Sequence, residues 1–240
     1  MKNFFEKFLG ALAAAWEKLI DFPLPGKLQN LVPSEKSTEF ELASFPLLGW
    51  LAGAVISGCA VLVSWIFNTY VGAFIFALLA WLFMTLRDSG RGDGAVTVLV
   101  ASRLPEDSIP WRIVVPVAAE ILKFALLMMI FCRGNAMILA VILGGAFAME
   151  AILAADAEFD PPLLDNSSEA KNKLWIMLGV LGGISFIIDH FTTVVATLVF
   201  IVTWRQFAIR AEKNGLNVGQ ISFAGSVMSW ILLISMGIVI

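Results

Sequence analysis

Apolar residues run through this chain in long unbroken stretches, and short polar stretches separate them. The first twenty residues are patterned differently. Phe4, Phe5, Phe8, Leu12, Trp16, Leu19 and Ile20 recur at helical spacing with Lys and Glu between them. That spacing predicts an amphipathic helix lying at a membrane surface. FPLPG (22–26) ends it, because proline disfavours helix in the residue before it and interrupts the backbone ladder. A polar segment follows.

The apolar runs are each long enough to cross a bilayer as a helix, which takes about 17–25 residues. They predict spans at 45–67, 71–86, about 111–131 and about 136–155. Another apolar stretch, 174–204, is broken midway by Asp189 and His190, which predicts two short spans meeting there. A last span is expected at about 221–240. The expected architecture is therefore all-α. It is a single integral membrane domain over 1–240, with an N-terminal amphipathic segment (1–44) and a bundle of about seven transmembrane helices (45–240).

Charge placement supports this reading. Lys2, Lys7, Lys18, Lys27 and Lys36 precede the first span. Arg87, Arg91, Arg103 and Arg112 flank the loop after the second, and Lys171, Lys173, Arg205, Arg210 and Lys213 fall in later loops. With seven spans, those fourteen of the sixteen Lys and Arg share one side, which the positive-inside rule makes cytoplasmic. Only Arg133 falls opposite, and Lys123 lies within a span. A single helix over 174–204 would put the last basic loop on the wrong side. Composition agrees: 59% of residues are hydrophobic and 15% charged, against about 25% charged in soluble domains. The net charge of −3 gives no ground for nucleic-acid binding. Cys59 and Cys132 fit no zinc spacing and read as small core residues. Gly49, Gly53, Ser57 and Gly58 lie close to one face of the first span, where small residues let helices approach closely. The same face could serve a homo-oligomer.

The richest polar stretch is RDSGRGDG (87–94), at the cytoplasmic mouth of the second span. Glycines admit an anion to backbone N–H groups. Arginines clamp phosphate oxygens, and aspartates hold Mg²⁺ alongside substrate phosphates. The pattern suits a diphosphate substrate; the alternative is a turn with topology-setting arginines. Asp156, Glu158, Asp160, Asp165 and Glu169 offer a second carboxylate source or a solvated loop. Within the spans, Glu120 and Lys123 stand three residues apart and can pair. Glu150 has no local partner and is a candidate for lining a polar pocket. His190, the only histidine, reads as a turn residue. No G-x-S-x-G elbow and no Walker-type loop is present.

The order of FPLPG (22–26), FPLLGWLAGAVISG (45–58) and an uncharged span opening into an Asp/Gly-rich loop resembles cobalamin synthase, the adenosylcobinamide-GDP ribazoletransferase family. GLNVGQISFAGSVMSWILLIS resembles that family's final glycine-bearing turn and last helix. The family's aspartate motif, H-x-D-G-x-x-D-x-x-D-G, is only partly present: Asp88 and Asp93-Gly94 can be placed on it, and the histidine and one aspartate are missing. Arg87-Asp88-Ser89 with Gly92 also fits the family's downstream R-D-S-x-x-G, an alignment that removes the metal-binding aspartates. Gly219-Gln220 stands where the family carries Gly-Asp, and an acidic residue expected in the last helix is absent.

The resemblance implies a bacterial or archaeal cytoplasmic-membrane transferase. It would join adenosylcobinamide-GDP to α-ribazole or its 5′-phosphate and release GMP. Asp88 and Asp93 would hold Mg²⁺, with Arg87, Ser89, Arg91, Gly92 and Gly94 contacting substrate. Asp156 and Asp160 are further metal candidates. Corrinoid and nucleoside substrates and the lipid bilayer are the implied partners. Two alternatives stand beside it. One is a non-catalytic corrinoid-binding or scaffolding relative, which the missing acids favour. The other is a small-solute transporter using Glu120, Lys123 and Glu150.

Overall fold

The computed structural model describes residues 2–19, 38–87, 109–158, 168–188 and 191–215. These are helical throughout, apart from short turns. The helices are α1 (Lys2–Leu19), α2 (Thr38–Ile66), α3 (Thr69–Arg87), α4 (Ile109–Cys132), α5 (Ile138–Glu158), α6 (Ser168–Ile188) and α7 (Phe191–Lys213). Three are long and apolar enough to cross a membrane, over Ala43–Ile66, Ile113–Cys132 and Thr193–Ala211. Shorter apolar helical stretches cover Thr69–Met84 and Ile138–Met149. The predicted last span, 221–240, lies outside the described residues.

Local sequence explains several helix ends. α1 stops at Leu19, upstream of FPLPG. Asn68 caps α3: its side-chain Oδ1 accepts the Val71 N–H at 2.9 Å, satisfying a donor that the first helical turn cannot satisfy internally. α4 closes on Gly134 at φ +80°. The Gly134 N–H bonds the Phe131 carbonyl at 2.9 Å and the Asn135 N–H bonds the Ile130 carbonyl at 3.2 Å. That crossed pair is the Schellman ending, and its left-handed residue favours glycine. α7 ends at Lys213 and is followed by Gly215 at φ +81°, again a left-handed glycine.

The chain forms two compact units. The first comprises Met1–Ala54 and Met137–Ser222. Here α5 packs against α7, α6 and α1, and α6 packs against α7. Leu139 to Leu143, Phe147, Met177, Leu178, Ile201 and Trp204 fill its core. Gly49 and Gly53 bring α2 onto α5. A Cβ at Gly49 would fall within 2.7 Å of the Leu143 carbonyl carbon, and one at Gly53 within 2.6 Å of the Ala140 nitrogen. α1 forms the expected amphipathic helix. It buries Gly10, Ala11, Ala13 and Ala14, while Phe8, Leu12 and Trp16 are half-buried. The Ser44 hydroxyl donates to the Ala11 carbonyl at 3.0 Å. Small residues permit that close approach of the alanine face.

The second unit comprises Val55–Ala136 and Phe223–Ile240. Its described core is the α3–α4 pair. Phe76 and Phe131 meet at 5.3 Å between ring centroids, and Phe74 and Phe124 meet edge-on at 5.6 Å, geometries that aromatic quadrupoles favour. Ser57 donates to the Ala136 carbonyl at 2.8 Å. Gly49, Gly53 and Ser57 thus serve close packing as expected. Gly58 does not: a Cβ there would meet nothing within 4 Å.

Several expectations need correction. Cys59 and Cys132 are exposed free thiols, not core residues; each sits on an outward helix face. α2 begins at Thr38, seven residues before the expected span, and carries Pro46 internally without ending there, while its membrane-length apolar part, Ala43–Ile66, lies close to the expected 45–67. Such interior prolines are tolerated in membrane-type helices, where neighbouring groups re-satisfy the freed backbone. The stretch from Arg205 to Lys213, read as loop, continues α7, and Arg205 is buried. Asp156 and Glu158 end α5, and Glu169, Lys171 and Lys173 begin α6, so helix replaces much of the predicted acidic loop. The break in 174–204 is as expected: α6 ends at Ile188 and α7 starts at Phe191.

Candidate functional site

α3 runs as continuous helix from Thr69 to Arg87. Its last residue is therefore the first residue of RDSGRGDG. Asp88, Ser89, Arg91, Gly92, Asp93 and Gly94 lie outside the described residues, as does the Arg87 side chain. Of the second acid group, Asp160 and Asp165 lie outside too, as do the side chains of Asp156 and Glu158. Asp189, His190 and the side chain of Glu150 are likewise outside. Among the described residues, no group of three or more His, Cys, Asp or Glu comes together. Glu169 is described and is exposed. It pairs with Lys173 one turn on at 3.1 Å, the orientation that suits a helix surface. It belongs to a solvated helix end.

The polar centre that the structure does define lies in the second unit, on facing helices. The Trp81 indole N–H on α3 donates to Glu120 Oε2 on α4 at 2.8 Å. Lys123 Nζ approaches the same oxygen at 3.8 Å. The Lys123 side chain is 4% exposed and that of Glu120 29%. The Glu120–Lys123 pairing was legible from the i, i+3 spacing. Trp81 was not, since nothing local marks an indole as a partner for an acid on another helix. At 2.8 Å the indole bond is the tighter of the two. A donor to a charged acceptor gives a stronger bond than a neutral pair, and interhelical hydrogen bonds in membranes contribute about 0.6–2 kcal/mol. Both contacts converge on Oε2.

The first unit holds a second kind of polar feature. The indole nitrogens of Trp50 and Trp204 and the hydroxyls of Ser185 and Thr197 are buried with no hydrogen-bond partner. Trp50 and Thr197 flank adjacent α5 residues. The Trp50 Cβ would stand 3.7 Å from a Cβ at Gly144, and the Thr197 Cγ2 2.7 Å from one at Gly145. Sequence periodicity places Ser185 and Thr197 inside apolar runs but carries no sign that their hydroxyls lack partners.

Mg²⁺ in phosphate sites typically takes one or two carboxylates plus substrate oxygens; the two carboxylates expected to serve it, Asp88 and Asp93, lie outside the described residues. No known protein family, curated protein or solved structure matches this chain.

Proposed function

We propose that the protein is a polytopic membrane transferase of the cobalamin synthase type, with seven spans and the RDSGRGDG loop on the cytoplasmic side. Its reaction joins adenosylcobinamide-GDP to α-ribazole or its 5′-phosphate. A free ribose hydroxyl oxygen forms a bond to the cobinamide-linked phosphorus, the bond to GMP breaks, and the hydroxyl proton leaves with solvent or a nearby base. The observation that carries the reading is the continuity of α3 up to Arg87. An apolar helix whose first charge is the first residue of the loop would set that loop at a membrane face, as a cytoplasmic diphosphate site requires.

Asp88 and Asp93 would hold Mg²⁺, which supplies neutralisation of diphosphate charge. Arg87 and Arg91 would grip phosphate oxygens in forked geometry. Gly92 and Gly94 would let backbone N–H groups close on the anion, and Ser89 would add a hydroxyl donor. Phosphoryl-type transfer depends on positioning and charge neutralisation more than on covalent catalysis, so two carboxylates and two arginines are a sufficient kind of machinery.

GMP release by the purified protein in lipid, supplied with adenosylcobinamide-GDP, α-ribazole and Mg²⁺, tests this. Release that disappears in the Asp88→Ala/Asp93→Ala double variant supports the transferase. A folded wild-type protein that binds the corrinoid without releasing GMP supports the non-catalytic relative instead. One observation favours a transporter: Glu120, whose side chain is 29% exposed, lies mid-helix beside Lys123, and transporters place coupling groups near the midplane. Solute uptake into proteoliposomes that is lost in Glu120→Gln would carry that reading.

A further inference from the structure

The α2–α3 hairpin has a property that its packing does not explain. From 42 to 86 it contains no Asp, Glu, Lys or Arg. The charged residues that usually hold a span at a chosen depth are therefore missing at its turn. What the turn has is aromatic. Trp65 is 78% exposed, Phe67 69% and Tyr70 76%, with Ile66 beside them. They flank Asn68, whose side chain is committed to capping α3. The end of α4 lies at the same level: the Phe131 ring stands 3.1 Å from where a Cβ at Gly72 would be. Arg133 follows it and is exposed.

We infer that this turn is an interfacial anchor whose partner is the glycerol–phosphate layer of a phospholipid leaflet. Trp and Tyr rings have an apolar body and a polar edge, so they are most stable between hydrocarbon and headgroup. Arg133 supplies the positive charge that complements lipid phosphate. The exposed apolar residues Phe74 and Leu82 continue down α3 from the turn, as a lipid-facing flank would. The inference rests on the membrane reading and adds a depth to it. Eleven residues of helix separate Tyr70 from Trp81, a rise of about 17 Å. Half of a hydrocarbon core is about 15 Å. Anchoring Tyr70 at the interface therefore places the Trp81–Glu120–Lys123 cluster near the bilayer midplane.

Spin labels in full-length protein test it. In a Cys59→Ser/Cys132→Ser background, Phe67→Cys and Phe74→Cys are labelled after reconstitution in vesicles of equal parts phosphatidylcholine and phosphatidylglycerol. Relative accessibility to oxygen and to a water-soluble nickel chelate gives depth. The expected result is a Phe67 label at headgroup level, with the Phe74 label about 10 Å deeper. Adding Trp65→Ala/Tyr70→Ala should move the Phe67 label by about one helical turn, roughly 5 Å. Arg133→Gln should reduce the preference for phosphatidylglycerol over phosphatidylcholine vesicles. Protein that floats with the vesicles while its Phe67 label is fully water-exposed, or as deep as Phe74, overturns the anchor alone. Protein that does not float overturns the membrane reading beneath it.

Discussion

Ser57 and Thr197 both carry a buried hydroxyl, but only that of Ser57 has a partner, the Ala136 carbonyl at 2.8 Å. Removing a made bond and removing an unmade one should differ in sign. Ser57→Ala is expected to lower stability by about 1 kcal/mol, the usual net value of such a bond. Thr197→Val keeps the shape and deletes a buried polar group that lacks a partner, so it should leave stability unchanged or raise it by up to about 1 kcal/mol. Thermal melts in one detergent read both; a Thr197→Val variant that melts well below wild type would mean the hydroxyl is engaged. The Trp81–Glu120–Lys123 cluster makes a second residue-scale prediction. Glu120→Ala removes the acceptor of Trp81 and one partner of the almost fully buried Lys123. Breaking a fully buried pair on one side loses about 3–5 kcal/mol. Glu120 is partly exposed and the pair is long, so the expected loss is nearer 2 kcal/mol. The Glu120→Leu/Lys123→Met double variant should recover most of it, because no charge is then stranded. A double variant no better than the single one would show that the cluster contributes more than charge balance.

At the scale of elements, four small residues on α2 look alike in sequence and differ in the fold. Gly53 faces the α5 backbone and Gly58 faces open space. Gly53→Leu should therefore separate α2 from α5 and prevent a stable fold. Gly58→Ala should be neutral or stabilising by up to about 1 kcal/mol, through better helix propensity. If both substitutions melted alike, the α2–α5 contact would be wrong. This pair also shows what the sequence could reveal. Periodicity located the described helices, although α2 begins seven residues before its expected start and α7 runs nine residues past its expected end, and the small-residue face was visible. Which glycine of that face meets a backbone depends on the rotation of α5, which no local pattern encodes. The same limit applies to α1. Its aromatic stripe dominates the amphipathic pattern, yet the alanine face packs, since contact between backbones rewards small side chains rather than apolar ones. Arg205 was read as loop because charge usually ends an apolar run; α7 instead carries it inward and ends two turns later at Lys213. At the site, residue types alone marked RDSGRGDG and the Glu120–Lys123 spacing. Trp81 required the α3–α4 pairing, a tertiary fact.

At the scale of the whole molecule, the placement of positive charge depends on one helix break. α6 ends at Ile188 and α7 begins at Phe191. If 174–204 were one helix, Arg205, Arg210 and Lys213 would leave the membrane opposite Lys171 and Lys173. In the proposed seven-span topology the segment, broken in two, returns, and all five would share a side with Lys2, Lys7 and Arg87. A bilayer with a cytoplasmic excess of anionic lipid would favour that arrangement by about 1 kcal/mol per basic residue near its surface. The same proposed topology would put Cys132, next to Arg133 at the far end of α4, on the opposite side from Asn214, which follows α7. Both positions are exposed. A membrane-impermeant maleimide applied to intact cells should therefore react with native Cys132 in a Cys59→Ser background. It should leave Asn214→Cys untouched in the Cys59→Ser/Cys132→Ser background until the membrane is permeabilised. Labelling of both from outside would mean that α6 and α7 do not form a returning pair in the bilayer. The RDSGRGDG loop could then no longer be assigned to the cytoplasmic side by charge alone, and the transferase reading would lose the topology that brings its site to a cytoplasmic nucleotide substrate.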